Sequence, residues 1–390
     1  MLSQRAKNLK PSPTLAVTAR AAELQAAGKD IIGLGAGEPD FDTPDHIKKA
    51  AIQAIEKGFT KYTPVDGTLG LKQAIADKLE QKNKLRFSTD QILVSCGAKH
   101  SFYNLCQAYL NPGDEVIIPA PYWVSYPPMV ELAGAKPVII EAGIDQEFKV
   151  TPEQVEQAIT DKTRMFILNS PSNPTGAVYG NMELQLIADI LKVRKNILVV
   201  TDDIYESIVW DTTPNHDILS VCPSLNEQTI VLNGVSKAYA MTGWRIGYAA
   251  GPADIIKGMK TIQSQSTSNP TSISQVAAQA ALEGDQSCIL EMVKAFQERH
   301  DVVLEKLNQL NGVRCIAAHG AFYLFPDFSE AMKNKGITDD VEMGEWLLEH
   351  AGVALVPGSA FGAPGYMRLS FATSMDNLEA ALFRLEQALK

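Results

Sequence analysis

The sequence predicts an α/β protein: a large domain with a mostly parallel sheet flanked by helices, and a smaller α+β domain. Three observations lead to this prediction. The chain has 390 residues, enough for more than one domain. Short β-branched runs alternate with helical patterns as far as about residue 251, and the pattern changes after about residue 285. Continuously apolar runs are typical of strands that helices cover on both faces.

The large sheet is predicted from seven short apolar runs, at residues 92–94, 115–118, 138–140, 165–168, 197–200, 230–232 and 246–249. The helices between them have clear start and stop signals. Thr43 and Thr151 each precede a proline, which predicts an N-cap residue followed by proline at the first helical position. Gly58 is predicted to end the first of these two helices.

The C-terminal part of the chain has a different pattern. It predicts a long charged helix over 290–310, short strands around 322–325 and 353–356, and an amphipathic helix from Met375. We therefore expect a large domain over residues 44–285, a small C-terminal domain over 286–390, and an N-terminal segment, residues 1–43, that forms part of the small domain. The first thirty or so residues have no strand partner near them in the sequence.

Composition excludes several classes of protein. With 45% hydrophobic and 21% charged residues, the chain is not typical of disordered, collagen-like or disulfide-scaffold proteins. The net charge of −10, without a long run of one sign, argues against a nucleic-acid partner. No stretch is apolar enough to predict a membrane segment. The five cysteines are scattered and never spaced C-x-x-C, so we expect five buried thiols and a cytoplasmic protein.

The sequence lacks several common catalytic motifs. The glycines of residues 33–37 begin like a dinucleotide-binding fingerprint, but Glu38 stands where the third glycine is needed and Pro39 follows. Ser236 lacks the flanking glycines of a hydrolase nucleophile, and Lys237 comes directly after it. The histidines never have paired ligand spacing, so no metal site is predicted.

Two charged residues follow predicted strands. Asp202 comes after the run 197–200, at the end of a strand where α/β proteins bind ligands, although an isolated aspartate could equally be a helix cap or an ion-pair partner. Lys237 follows the run 230–232 in a turn of small residues. A nucleophilic lysine needs desolvation or a nearby cation, which Arg245 could supply; a lysine that reaches the surface is the alternative.

Six motifs occur together in a meaningful order, at residues 36–41, 169–176, 202–205, 236–237, 245 and 368–371. In order and approximate spacing they resemble the pyridoxal-phosphate-dependent aminotransferases of fold type I, class I. The resemblance spans nearly the whole chain, and it is greatest to the bacterial, thermophile-like aspartate aminotransferase subgroup, which includes enzymes that also accept prephenate.

The resemblance implies catalytic roles and a cofactor, pyridoxal 5′-phosphate. Lys237 would form the Schiff base with the cofactor and later move the proton at the substrate Cα. Asp202 would pair with the pyridine nitrogen, and Tyr205 and Asn173 would hydrogen-bond the phenolic oxygen. Trp123 would stack on the ring beside the substrate, although it could also be an ordinary core residue.

The resemblance also implies a phosphate site. Gly97 and Ala98 follow the strand at 92–94 and open a helix, so their backbone N–H groups would point at an anion. The implied phosphate and cofactor contacts are completed by Lys99, Ser236, Arg245 and, from a neighbouring subunit, Tyr62. This arrangement implies a homodimer with shared active sites; the alternative for Tyr62 is a loop tyrosine that packs locally.

The substrate contacts follow from the same resemblance. Arg368 would grip the α-carboxylate, which suits the two-point geometry of a guanidinium, and Gly37 would add a backbone contact. Lys99 and Thr14 match residues near the distal carboxylate; the alternative for Lys99 is a solvated lysine at a helix start. Asn173 and Trp123 would also touch the substrate.

The implied reaction transfers the amino group of L-aspartate to 2-oxoglutarate, giving oxaloacetate and L-glutamate by a ping-pong mechanism. Its partners are amino-acid and 2-oxo-acid substrates. Three alternatives stay open on the sequence: an aspartate/glutamate-prephenate aminotransferase, another amino-acid aminotransferase, and a β-lyase that uses the same cofactor, because a fold does not fix a reaction.

Overall fold

The largest sheet has seven strands, in the order β2-β8-β7-β6-β5-β3-β4. The structure is a computed structural model that describes residues 1–9, 13–210 and 217–390. The strands of this sheet are β2 (Ile92–Ser95), β3 (Glu115–Ala120), β4 (Lys136–Glu141), β5 (Thr163–Asn169), β6 (Leu198–Asp202), β7 (Thr229–Gly234) and β8 (Gly247–Ala250). Strands β3 to β7 run parallel, and β8 is antiparallel to both β2 and β7. Each of the seven predicted runs overlaps one of these strands, with 197–200 and 246–249 each starting one residue before the strand does, so the prediction of a mostly parallel sheet is confirmed.

Helices cover both faces of this sheet, which explains why its strands are apolar throughout. Val116 and Ile118 belong to the core on one face, and Ile117 between them belongs to the core on the other. Successive strand side chains point to opposite faces, so a strand with two covered faces must be apolar at every position. The carboxyl ends of β5, β6 and β7 are thereby fixed side by side.

A second set of elements surrounds two small sheets. Strands β9 (Tyr323–Leu324), β11 (Val356–Pro357) and β12 (Met367–Ser370) form an antiparallel sheet in the order β11-β12-β9. Strand β1 (Ile32–Gly33) pairs in parallel with β10 (Val353–Ala354). The N-terminal segment thus finds its strand partner more than three hundred residues along the chain, which explains why no partner was visible nearby in the sequence.

The helices of the described residues are α1 (Gln4–Asn8), α2 (Pro13–Ala26), α3 (Asp45–Glu56), α4 (Leu69–Lys78), α5 (Ala98–Tyr109), α6 (Tyr126–Leu132), α7 (Pro152–Ala158), α8 (Asn181–Leu191), α9 (Ile218–Val221), α10 (Ala253–Ser264), α11 (Ser272–Glu283), α12 (Ser287–Leu307), α13 (Ser329–Lys335), α14 (Asp340–His350) and α15 (Met375–Leu389). None of them is long and apolar enough to cross a membrane.

Thr151 caps α7 as predicted, since its side chain accepts a hydrogen bond from the Gln154 N–H. The prediction for Thr43 was wrong. Helix α3 starts one residue later than predicted, and the Thr43 hydroxyl instead donates to the Ala240 carbonyl at 2.7 Å and accepts from the Trp244 indole at 3.0 Å. Gly58, with φ of +72°, follows the end of α3 as predicted.

Two further expectations were partly wrong. The long helix predicted over 290–310 begins and ends three residues earlier. At its start the Asp285 carboxylate accepts from the Ser287 N–H. At its end the Asn308 side chain donates to the Leu304 carbonyl and accepts from the Cys315 N–H. Of the five thiols expected to be buried, Cys96 and Cys288 are partly exposed.

Candidate active site

A cavity of about 450 Å³ opens where β5, β6 and β7 end. Its wall includes the last residues of β5 and β6 and, from the turn after β7, Ser236 and Lys237. This is the position expected for a ligand site at the carboxyl ends of parallel strands. The predicted site residues in the wall are Thr14, Gly37, Ala98, Lys99, Trp123, Asn173, Asp202, Tyr205, Ser236, Lys237, Arg245 and Arg368. Gly97 is not part of the wall but lies beside Arg245, whereas Tyr62 lies outside the cavity and is 92% exposed.

Lys237 lies on the turn that follows β7. Its Nζ donates to the Gly37 carbonyl oxygen at 2.5 Å, and it lies 5.8 Å from the centre of the Tyr205 ring. Burial, reinforced by the charge of Arg368, lowers the pKa of Lys237 to about 8. At pH 7 such an amine is neutral in about one molecule in ten, far more often than an ordinary lysine. Arg368 contributes more to this shift than Arg245, the cation expected from the sequence.

Asp202 is the last residue of β6 and is buried at the base of the cavity. Burial raises the pKa of this carboxyl, and the hydrogen bond from the Tyr126 hydroxyl opposes that rise. The Tyr126 hydroxyl donates to Asp202 Oδ2 at 2.6 Å, and the Ile204 N–H donates to Oδ1 at 3.4 Å. Charge-assisted hydrogen bonds of this kind stabilise the ionised form.

Arg368 lies on β12 and is 2% exposed. Its guanidinium donates to Asn173 Oδ1 at 3.0 Å and to the Gly35 carbonyl at 2.7 Å. Its Nε is buried and has no hydrogen-bond partner among the described residues. A buried guanidinium with a free donor in a cavity wall is suited to bind a carboxylate.

Gly97 and Arg245 form a second cationic corner. Gly97, at φ of +88°, precedes α5. The Gly97 N–H, predicted to point at an anion, instead donates to the Ser95 carbonyl at 2.8 Å, whereas the N–H groups of Ala98 and Lys99, in the first turn of α5, have no intrahelical partner. A Cβ at Gly97 would lie 2.4 Å from Arg245 Nη2, so the absence of a side chain permits the close approach of the guanidinium. The Arg245 guanidinium also donates to the carbonyls of Thr242 and Cys96, at 2.8 and 3.2 Å. A helix N-terminus beside a guanidinium is a suitable site for a phosphate group.

Lys99 and Thr14 both line the cavity. Lys99 is exposed, and its Nζ lies 5.0 Å from the centre of the Trp123 ring. The Thr14 hydroxyl is buried without a hydrogen-bond partner in the described structure. The structure therefore brings the two predicted specificity residues to the same cavity as Arg368.

A buried ionic cluster lies next to the chain segment that carries Asp202 and Tyr205. Its centre is Glu206, which pairs with Lys78 and accepts from the amides of Asn83 at 2.8 Å and Asn233 at 2.9 Å. Burial is the largest single influence and raises the pKa of Glu206, but the charges of Lys78 and Lys82 and the hydrogen bonds from Asn83 and Lys78 together outweigh it and lower this pKa to about 2. Asn233 lies on β7, so Glu206 connects the strand that leads to Lys237 with the segment after β6.

Sequence reasoning missed two tyrosines. Tyr126 donates to Asp202 across 76 positions of sequence, and the Tyr323 hydroxyl lies 2.8 Å from the Tyr205 hydroxyl across 118 positions. Both line the cavity. Tyr126 lies three residues after Trp123, which is the single local signal that could have indicated it.

The fold and the site define a class: an α/β enzyme with a weakly basic lysine, a buried carboxylate and two guanidinium groups around one cavity, suited to bind an aldehyde cofactor and carboxylate substrates. Comparison with known proteins identifies the family. Residues 29–385 match the family described as aminotransferase class I and II. The chain belongs to that family, whose cofactor is pyridoxal 5′-phosphate.

Relatives and solved structures agree with this assignment. The chain is 58% identical to an aspartate/prephenate aminotransferase of Nitrosomonas europaea, over 100% of this chain and 99% of the relative. It is 51% identical to an aspartate aminotransferase of Bacillus sp. YM-2, with the same coverage of each chain. A crystal structure of the aspartate aminotransferase from Rhizobium meliloti superposes with a TM-score of 0.96 at 45% identity, covering 100% of this chain and 98% of that one.

The residues present fit the cofactor. The absence of a side chain at Gly97 brings the Arg245 guanidinium to the start of α5, where it supplies positive charge for an anion, and Asp202 is a buried carboxylate that lines the cavity with the lysine amine. These are the three features that a phosphate, a pyridine nitrogen and an aldehyde require.

Proposed function

We propose that the protein is an aspartate aminotransferase that transfers the amino group of L-aspartate to 2-oxoglutarate, giving oxaloacetate and L-glutamate. The observation that carries the proposal is the common cavity of Lys237, Asp202 and Arg368, whose wall also includes the exposed Lys99. Two separated cations suit a substrate with two carboxylates. The relatives named as aspartate aminotransferases support the same substrate class.

Several residues would hold the cofactor. Lys237 would bind its aldehyde carbon and Asp202 its ring nitrogen. The phenolic oxygen would contact Tyr205 and Asn173, the ring face would contact Trp123, and the phosphate would contact Gly97, Ala98, Lys99, Ser236 and Arg245. When bound, pyridoxal phosphate supplies an electron-withdrawing ring that stabilises negative charge at the substrate Cα.

The chain's own groups would then position the substrate and move its proton. Arg368, held by Asn173 and the Gly35 carbonyl, would fix the α-carboxylate and so orient the bond at Cα. Gly37, whose carbonyl oxygen accepts from Lys237, would contact the substrate on the same side as that lysine. The neutral amine of Lys237 would take the Cα proton and return it. Lys99 and Thr14 would bind the distal carboxylate.

Prephenate is the second candidate amino acceptor. A relative at 58% identity is named aspartate/prephenate aminotransferase, and prephenate also carries two carboxylates. Transamination of prephenate with glutamate or aspartate as donor tests this candidate directly. A transamination rate with prephenate below one-hundredth of the rate with 2-oxoglutarate would show that prephenate is not an amino acceptor comparable to 2-oxoglutarate.

The principal experiment has two parts. Borohydride treatment of the enzyme with bound cofactor should fix the cofactor on the peptide that contains Lys237, and Lys237→Ala should abolish the adduct. Single-turnover spectra should show that aspartate and glutamate convert the cofactor to its amine form faster than alanine or phenylalanine. An adduct on another lysine, or equal rates with all four amino acids, would contradict the proposal.

We further propose a homodimer in which Tyr62 of a second copy completes the phosphate site. The nearly full exposure of Tyr62 supports this, as do four exposed apolar side chains near it in sequence, Ile52, Ile55, Phe59 and Leu69. Mixing Tyr62→Ala with Lys237→Ala chains tests it, because a shared site would give one doubly wild-type site per mixed dimer and restore activity. The scattered cysteines support a cytoplasmic location, which cell fractionation tests.

The domain boundaries at residues 43/44 and 285/286 are also our proposal. Helix α12 begins at Ser287, directly after the second boundary. Limited proteolysis that releases fragments ending near residue 285 would support the boundary, and cleavage confined to other loops would contradict it.

A further inference from the structure

Tyr323 contacts two residues of the site that are far apart in the sequence, Tyr205 and Arg368. It lies on β9, next to β12, and is fully buried. Its hydroxyl lies 2.8 Å from that of Tyr205, and the centre of its ring lies 4.6 Å from Arg368 Cζ. One side chain therefore contacts both the group proposed to bind the phenolic oxygen of the cofactor and the group proposed to bind the substrate carboxylate.

The hydrogen bond between the two tyrosines has a direction. Each hydroxyl has one proton, so only one of them can donate across the 2.8 Å contact. When Tyr205 gives its proton to an acceptor in the cavity, its oxygen is left to accept from Tyr323. Burial raises the pKa of both phenols and the Arg368 cation opposes that rise in both, with Arg368 Cζ directly against the Tyr323 ring.

We propose that Tyr323 is a positioning residue that donates to Tyr205, turns the Tyr205 proton toward the cavity, and transmits the charge state of Arg368 to that hydrogen bond. This inference rests on the proposed function. A carboxylate bound to Arg368 neutralises the cation beside the Tyr323 ring, so Tyr323 becomes a weaker donor. The hydrogen bond from Tyr205 into the cavity then weakens as well, which couples substrate binding to the cofactor.

The other charges near the cofactor lysine do not depend on Tyr323. Lys237 is influenced by Arg368, Glu38, Arg245 and Asp202. All of these groups are retained when the Tyr323 hydroxyl alone is removed. A change caused by Tyr323→Phe can therefore be assigned to the two tyrosines.

The test is a pH titration of the absorbance of the bound cofactor in the full-length enzyme. A hydrogen bond from Tyr205 favours the deprotonated form of the chromophore, so Tyr323→Phe should raise the titration midpoint by about 0.5 to 1 pH unit. Maleate, a dicarboxylate without an amino group, should raise the midpoint of the wild-type enzyme and should raise that of Tyr323→Phe by less. An unchanged midpoint, or an equal effect of maleate on both, would overturn the proposal.

A double-mutant cycle identifies the route of the effect. In a Tyr205→Phe background, Tyr323→Phe should cause no further shift, because its effect passes through the Tyr205 hydroxyl. The same shift in both backgrounds would contradict the proposal. Tyr366→Phe is the matched control, since Tyr366 stacks on Phe325 at 5.2 Å outside the cavity.

One further variant keeps the test independent of folding defects. 3-Fluorotyrosine at position 323 retains the hydroxyl and makes it more acidic, so the midpoint should move down instead of up; an upward shift would contradict the proposal. A wild-type enzyme that fails to bind the cofactor would refute the proposed function, whereas a loaded enzyme insensitive to Tyr323 would refute this inference alone.

Discussion

The Tyr126 hydroxyl donates a 2.6 Å hydrogen bond to the Asp202 carboxylate, and both side chains are buried. Burial disfavours a carboxylate charge, and a hydrogen bond to the charged form opposes that effect. The charge of Asp202, which we propose pairs with the pyridine nitrogen of the cofactor, is thus favoured by a residue from the start of α6.

Tyr126→Phe should therefore weaken cofactor binding. Without the hydrogen bond the pKa of Asp202 rises further, and loss of one charge-assisted bond corresponds to about a tenfold to hundredfold increase in the Kd of pyridoxal phosphate. Equilibrium titration of the cofactor-free enzyme measures the effect. Tyr122→Phe, a half-buried neighbour, is the control and should bind normally. Equal affinities in the wild type and Tyr126→Phe would disprove this role.

The reactivity of Lys237 should follow its lowered pKa. In the cofactor-free enzyme, reductive methylation of the Lys237 peptide should rise with pH to a plateau with a midpoint near 8, because only the neutral amine reacts. Arg368→Met removes a cation that lowers the pKa, so the midpoint should move up. Mass spectrometry of labelled digests gives the profile, with surface lysines as the reference for the reagent. A profile that still climbs above pH 10 would be inconsistent with the structure.

The Glu206 cluster makes a prediction about stability. Glu206→Gln leaves Lys78 buried without its counter-charge and should destabilise the protein by about 3–5 kcal/mol. Urea unfolding of the cofactor-free enzyme measures this. The control is Glu80→Gln, whose ion pair with Arg86 is exposed and should contribute less than about 1 kcal/mol.

The same cluster fixes the direction of the pH dependence. The folded-state pKa of Glu206 is lowered to about 2 from the usual 4.5. Its stabilising contribution is therefore fully present above about pH 4.5 and is lost as pH falls toward 2. The difference in unfolding midpoint between wild type and Glu206→Gln should be constant from pH 8 to 5 and narrow below that. A difference that grows on acidification would contradict the assigned charge.

The large sheet was predictable from sequence because helices on both faces make every strand position apolar, as in the residues 115–118. Asp202 and Lys237 could be predicted as site residues because each follows a buried strand, whereas the other motif residues were expected from the resemblance to a family. The Tyr126–Asp202 and Tyr205–Tyr323 contacts were not, since they join residues far apart in the chain and depend on how the helices and the small sheet pack. The pairing of β1 with β10 was hidden for the same reason.

Gly97→Ala tests whether the close approach of Arg245 to the start of α5 contributes to phosphate binding, apart from any effect of backbone strain. The added Cβ would lie 2.4 Å from Arg245 Nη2 and would displace the guanidinium, so the affinity for pyridoxal phosphate should fall about tenfold to hundredfold. Pyridoxal, which lacks the phosphate, should lose much less. Gly113→Ala is the matched control, because Gly113 has φ of +93° but nothing within 4 Å of the added Cβ.

Both glycine variants should lose stability through the positive φ angle, by about 1–3 kcal/mol, and only Gly97→Ala should lose phosphate-dependent affinity. Thermal melts of the cofactor-free proteins and cofactor titrations distinguish the two effects. If both variants weakened pyridoxal phosphate and pyridoxal to the same extent, strain alone would account for the result. The close approach of Arg245 to the start of α5 would then have no part in phosphate binding.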